Sequence, residues 1–222
     1  LEALYDGAIH QVDAVLADLI DELADRGVLS ETLVIVTGDH GEGFGEPSEI
    51  RPDARAIAHG NGGSHEVLLH VPLVVRTPGQ TEGDTVETVC SLAHLRTLIE
   101  ETVDGTDDPA AVFPPDEPVV ASAYGLNERM RSKAEEYCDD LTAFEGDAQI
   151  VYEDGETVQK HLAWRDERVT VEIRDAQTSY RVGTPEDAQI QAVFERLTEQ
   201  DVTGQAEGVD ETVQQRLEDL GY

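Results

Sequence analysis

Leu33-Val34-Ile35-Val36-Thr37-Gly38-Asp39-His40-Gly41-Glu42-Gly43 joins a continuous apolar, largely β-branched run to a polar turn flanked by glycines. Such a run reads as a buried, parallel strand. In open α/β sheets, ligands bind in crevices outside the carboxyl ends of strands. Asp39 and His40 stand at that end. Gly38 and Gly41 let backbone approach them closely. An adjacent Asp and His can offer a carboxylate oxygen and an imidazole nitrogen to one metal ion. The same dipeptide also fits an Asp that caps a following helix beside a solvent-facing His.

Working outward, Leu4 to Arg26 carries one apolar stripe: Leu4, Ala8, Val12, Val15, Leu19 and Leu23 recur at three- and four-residue spacing. Gly27 is placed to stop this helix. On the other side, residues 44–64 are polar, glycine-bearing and without period, and read as a long loop, a type that is usually functional or mobile. Its end, His59-Gly60-Asn61-Gly62-Gly63-Ser64-His65-Glu66, holds two histidines. A histidine there can hydrogen-bond an anionic group or protonate a leaving oxygen; incidental histidines on a flexible loop fit the residues nearly as well. His10, His94 and His161 lack such context and read as structural or surface residues. Leu73-Val74-Val75, between Pro72 and Pro78-Gly79, is a second strand, and 85–103 a further helix.

The segment 106–118, rich in Asp and Pro, reads as a linker between an α/β part, 1–105, and a small α+β part, 119–222. In the second part, Val119-Val120-Ala121, 149–152, 158–164 and 169–173 form short strands around turns such as Asp154-Gly155. They suggest a small antiparallel sheet. Two helices follow, over 185–198 and 210–220. The expected class is thus α/β with an appended antiparallel sheet and C-terminal helices.

The chain has 222 residues, with 48 acidic against 15 basic, for a net charge of −33. This polyanion repels nucleic acid and anionic lipid, so neither is an expected partner. The charge is dispersed, and lysine occurs only at Lys133 and Lys160. A dispersed acidic surface with scarce lysine reads as that of a halophile's protein, soluble where salt screens repulsion. Cys90 and Cys138 form neither a CxxC nor a zinc pattern and read as small buried hydrophobes. No apolar run approaches the ~20 residues of a membrane span. No signal peptide is visible, so a cytoplasmic location is expected.

The order of these motifs resembles the sulfatases of the alkaline-phosphatase-like superfamily. The long helix leads to Thr37-Gly38-Asp39-His40-Gly41. Next come His59-Gly60-Asn61, then Glu66…His70-Val71-Pro72-Leu73-Val74-Val75-Arg76-Thr77-Pro78-Gly79, then the segment from Val89 to Leu98. Last is the ending Arg216-Leu217…Leu220-Gly221-Tyr222. The resemblance implies an alkaline-phosphatase-like α/β core, of which this chain looks like the C-terminal half. By resemblance, Asp39 and His40 are metal ligands, with calcium implied and manganese, magnesium or zinc compatible. His59 is then the residue beside the anionic ester, with His65 as second choice; His70 reads as structural.

The family's nucleophile arises from a Cys/Ser-x-Pro/Ala-x-Arg motif. Neither Cys90-Ser91-Leu92-Ala93-His94 nor Cys138-Asp139-Asp140-Leu141-Thr142 fits it. The nucleophile and further acidic ligands are expected in a missing N-terminal half, leaving this chain inactive by itself. The expected activity is hydrolysis of a sulfate ester. Phosphodiester or phosphoglycerol chemistry within the same superfamily, and a non-catalytic interaction protein, are the alternatives.

Overall fold

The computed structural model describes residues 2–51, 54–59, 64–106, 108–113, 118–175, 178–185 and 188–199. Helix α1, Glu2–Asp25, follows the apolar stripe of the sequence, yet none of its residues is buried. Gly27 turns the chain out of it with φ +69, a left-handed conformation that glycine adopts without a Cβ clash. A single 3₁₀ turn, Leu29–Glu31, leads to strand β1, Val34–Thr37.

β1 pairs with one strand, β4, Leu73–Arg76, and the pairing is antiparallel, with Val34 opposite Arg76 and Thr37 opposite Leu73. The parallel, buried strand expected from composition is therefore corrected: β1 is half-buried and antiparallel to its partner. A parallel return needs a crossover of a dozen or more residues, usually an α-helix. Residues 38–72 are long enough for that, but their described part holds a hairpin and a four-residue helix rather than a crossover helix, and the chain comes back the other way. Arg76 fastens the pair from outside by donating from Nη1 to the Leu29 carbonyl at 2.6 Å.

The expected loop over 44–64 is also corrected. Strands β2, Gly43–Pro47, and β3, Arg55–Ala58, form an antiparallel hairpin with a bulge between Phe44 and Glu46. Gly43 permits it, since a Cβ there would sit 2.5 Å from the Ala56 carbonyl oxygen. Helix α2, Glu66–Leu69, follows and starts on a His65 cap. The helix expected over 85–103 is shorter: Ser91 accepts from the Ala93 amide and opens a 3₁₀ turn, and helix α3 runs over Leu95–Asp104. A serine that bonds the backbone locally starts a helix at its own position rather than upstream of it.

Beyond, β5 (Val119–Ala123), β6 (Ala148–Glu153), β7 (Gln159–Trp164), β8 (Glu167–Ile173) and β9 (Ser179–Gly183) make one antiparallel meander in sequence order. Helix α4, Glu128–Glu135, lies in the β5–β6 connection, capped by Asn127. One face of the sheet buries Ile150, Leu162, Trp164, Val169 and Val171, joined by Ile50 from the β2–β3 hairpin, with Leu69 and Val89 packed alongside. The opposite face packs Val151 and Ala163 against Ile190 and Phe194 of helix α5, Ala188–Glu199. The two sides of the 106–118 segment thus share a core. The helix expected over 210–220 and the ending Leu220-Gly221-Tyr222 lie outside the described residues.

Candidate functional site

The turn after β1 is held in three ways. The His40 amide donates to Asp39 Oδ1 at 3.0 Å. His40 Nδ1 lies 2.8 Å from the Gly41 carbonyl oxygen. A carbonyl only accepts, so Nδ1 carries the proton and Nε2 of the neutral ring carries the lone pair. The Gly41 amide in turn donates to the Leu68 carbonyl of α2 at 2.9 Å. A Cβ on Gly41 would fall 1.9 Å from the Val67 carbonyl oxygen, so only glycine fits between turn and helix.

This geometry places His40 Nε2 3.8 Å from Asp39 Oδ1. The two atoms can share one ion, with the carboxylate as the hard oxygen donor and the imidazole as the nitrogen donor. The fit is that of two ligands: among the described residues no group of three or more His, Cys, Asp or Glu side chains is arranged to hold a metal.

His59 comes to the same place from the hairpin. It follows β3 through Ala58, whose φ of +53 is unusual for a residue with a Cβ and redirects the chain at the strand end. The His40 and His59 rings lie 4.4 Å apart between centroids, tilted by 32°. His59 Nδ1 is 3.4 Å from Oε2 of Glu42, whose side chain is 19% exposed. Asp39, His40, Glu42 and His59 are therefore brought together by the base of one hairpin and the turn that enters it. Sequence reasoning did not single out Glu42; its place two residues beyond His40 in the same glycine-flanked turn was the available signal.

His65 goes elsewhere. It is buried, and its Nδ1 accepts from the Val67 amide at 3.1 Å as the cap of α2. Burial holds its imidazole below the ordinary histidine value; the nearby carboxylates of Glu49, Glu46 and Glu66 push the other way, and Lys160 adds to the lowering. The ring is thus buried and engaged as a cap, while His59 is the histidine stacked against His40. His70 is exposed, with Nδ1 3.6 Å from Glu66 Oε1. His161 is buried between Thr170 and Glu153. Cys90 is half-buried rather than buried, and its thiol is pushed up by burial, away from thiolate chemistry. Cys138 is exposed, contrary to the buried hydrophobe expected.

A half-buried strand ending in an Asp–His turn, faced by a hairpin histidine, sits wholly within residues 2–101, and that stretch matches the family model described as Sulfatase. Over 95 residues the chain is 30% identical to Arylsulfatase K of Xenopus laevis, a match covering 43% of this chain and 16% of the relative. The figures are the same for Arylsulfatase K of Gallus gallus. The chain thus spans about one sixth of these relatives' length. No solved structure matches significantly.

Proposed function

We propose that residues 2–101 supply the second part of a metal-dependent sulfate-ester hydrolase site, with Asp39 and His40 as two ligands of a divalent ion, calcium first, and His59 as the group beside the ester. The sulfatase family acts on sulfate esters and generally uses a divalent metal. The single observation that carries the reading is the convergence of Asp39, His40 and His59 at one strand end inside the family-matched stretch.

The ion, when bound, polarises an ester oxygen. Asp39 supplies negative charge to it, and His40 directs Nε2 because Nδ1 is committed to the Gly41 carbonyl. His59 stabilises or protonates the leaving oxygen. Glu42, with Oε2 3.4 Å from Nδ1, orients that ring. The nucleophile and the rest of the metal shell come from sequence outside this chain, since neither cysteine stands in the modification motif.

The test is calorimetric titration of calcium and of manganese into the 222-residue chain and into Asp39→Ala/His40→Ala. Weak binding that disappears in the double variant is expected; equal affinity in both would refute the ligand assignment. Neither an aryl sulfate nor an aryl phosphate should turn over with the chain alone. Turnover lost in His59→Ala would show that the nucleophile lies within these residues. A phosphate ester cleaved in preference to a sulfate would move the reading to the phosphoesterase members of the superfamily.

A further inference from the structure

Lys160 stands in the middle of β7 and is completely buried. An ammonium has three protons to place. Here Nζ lies 2.6 Å from the Ser64 carbonyl oxygen, 2.8 Å from Glu49 Oε2 and 3.1 Å from Glu66 Oε2. The Glu49 contact is ionic and off the hydrogen-bond direction. Both carboxylates are also held by hydroxyls of the same sheet: Tyr152 of β6 donates to Glu66 Oε2 at 2.8 Å, and Ser179 of β9 donates to Glu49 Oε1. Burial and the adjacent Glu66 carboxylate push the Tyr152 phenol well above its usual range, so it stays a donor.

The two carboxylates belong to the two elements that frame the site. Glu49 lies at the tip of the β2–β3 hairpin, whose base carries Glu42 and His59. Glu66 opens α2, whose Leu68 carbonyl holds the Gly41 amide and with it the Asp39–His40 turn. One cation from the C-terminal sheet therefore grips both supports at once. Replacing it by an apolar side chain would leave two buried carboxylates facing each other without a counter-charge, a strongly unfavourable arrangement.

We propose that Lys160 is a positioning residue: by clamping Glu49, Glu66 and the Ser64 carbonyl, it fixes the hairpin and α2 so that His59 lies against His40. The inference rests on the site reading above, but its readout needs neither metal nor turnover. A failed calcium titration would leave it standing, and its own failure would leave the sulfatase reading standing.

The experiment compares the 222-residue chain with Lys160→Met by NMR at molar KCl. In the parent, a nuclear Overhauser contact joins the His40 and His59 rings. In Lys160→Met that contact should vanish, and amide exchange in β2, β3 and α2 should rise by roughly tenfold or more, while β6–β8 amides keep their protection. An intact His40–His59 contact, or exchange rising equally in hairpin and sheet, would overturn the proposal. If Lys160→Met does not fold, Glu49→Gln decides, because it removes the carboxylate by which the ammonium grips the hairpin and leaves its contact with Glu66 of α2 in place. Faster exchange confined to the hairpin supports the clamp, and unchanged hairpin exchange overturns it.

Discussion

Helix α1 carries a clear apolar pattern and strand β7 does not, yet their burial runs the other way. α1 repeats Leu, Ile and Val at helical spacing over 24 residues and buries none of them. β7 carries Lys, His and Leu in succession and buries every one. A hydrophobic stripe states only which face seeks cover; the cover must come from somewhere else. Within the described residues the five-stranded sheet finds it in its own strands, the hairpin and α5, whereas α1 does not.

The widest test of that contrast is a pair of leucine truncations. Leu162→Ala in the sheet core should cost about 2–5 kcal/mol, through lost transfer energy and a cavity. Leu19→Ala on α1, where the leucine is 50% exposed, should stay within about 0.5 kcal/mol. Urea unfolding midpoints measure both, and equal costs would break the comparison. Glycine substitutions sharpen it at smaller scale. Gly41→Ala drives a Cβ into the Val67 carbonyl, displaces the Asp39–His40 turn, and should destabilise by about 1–3 kcal/mol in the same urea measurement. Gly7→Ala on α1 meets nothing within 4 Å and should instead stabilise the helix by about 0.5–1 kcal/mol.

Salt acts on the surface that both regions share. With a net charge of −33, raising KCl from dilute buffer to about 1 M, where the Debye length is ~3 Å, should lift the thermal midpoint by several degrees. A midpoint that ignores salt would remove the halophilic reading. The smallest effect belongs to His65. Burial holds its folded-state value below the ordinary one near 6.5. Between the two, the unfolded chain binds a proton that the folded chain does not, so stability falls as pH drops through that window. His65→Asn keeps a capping side chain but removes the proton, and should flatten the decline just below pH 6.5. An identical pH profile in the variant would show that the cap tolerates the charged ring.

Much of the scaffold was legible because its signals are local. Periodicity gave α1 and the strands β1, β4, β6, β7 and β8, and the glycine-flanked dipeptide gave the turn. The β2–β3 hairpin escaped because Gly43-Phe44-Gly45-Glu46-Pro47 has no strand pattern, and its pairing is bulged and stabilised by contacts far along the chain. β9 escaped for a related reason: Tyr180, Arg181 and Val182 are exposed on an edge, so no alternation was required of them. Lys160 had one faint mark, as one of only two lysines in a strongly acidic chain.

The sequence by itself determined the chemistry on offer: an Asp–His turn at a strand end, a histidine on the segment that follows, and a strongly acidic composition. These depend on residue type and near-neighbour spacing, which the chain cannot alter by folding. Tertiary structure alone decided which histidine faces that turn. It sent His65 into a buried cap and His59 against His40. It also decided that β1 would meet its partner antiparallel, and that a lysine more than 90 residues away in sequence from Glu66 would hold the supports. Desolvation, register and the satisfaction of buried charge are properties of distant atoms brought together, and no window of sequence contains them.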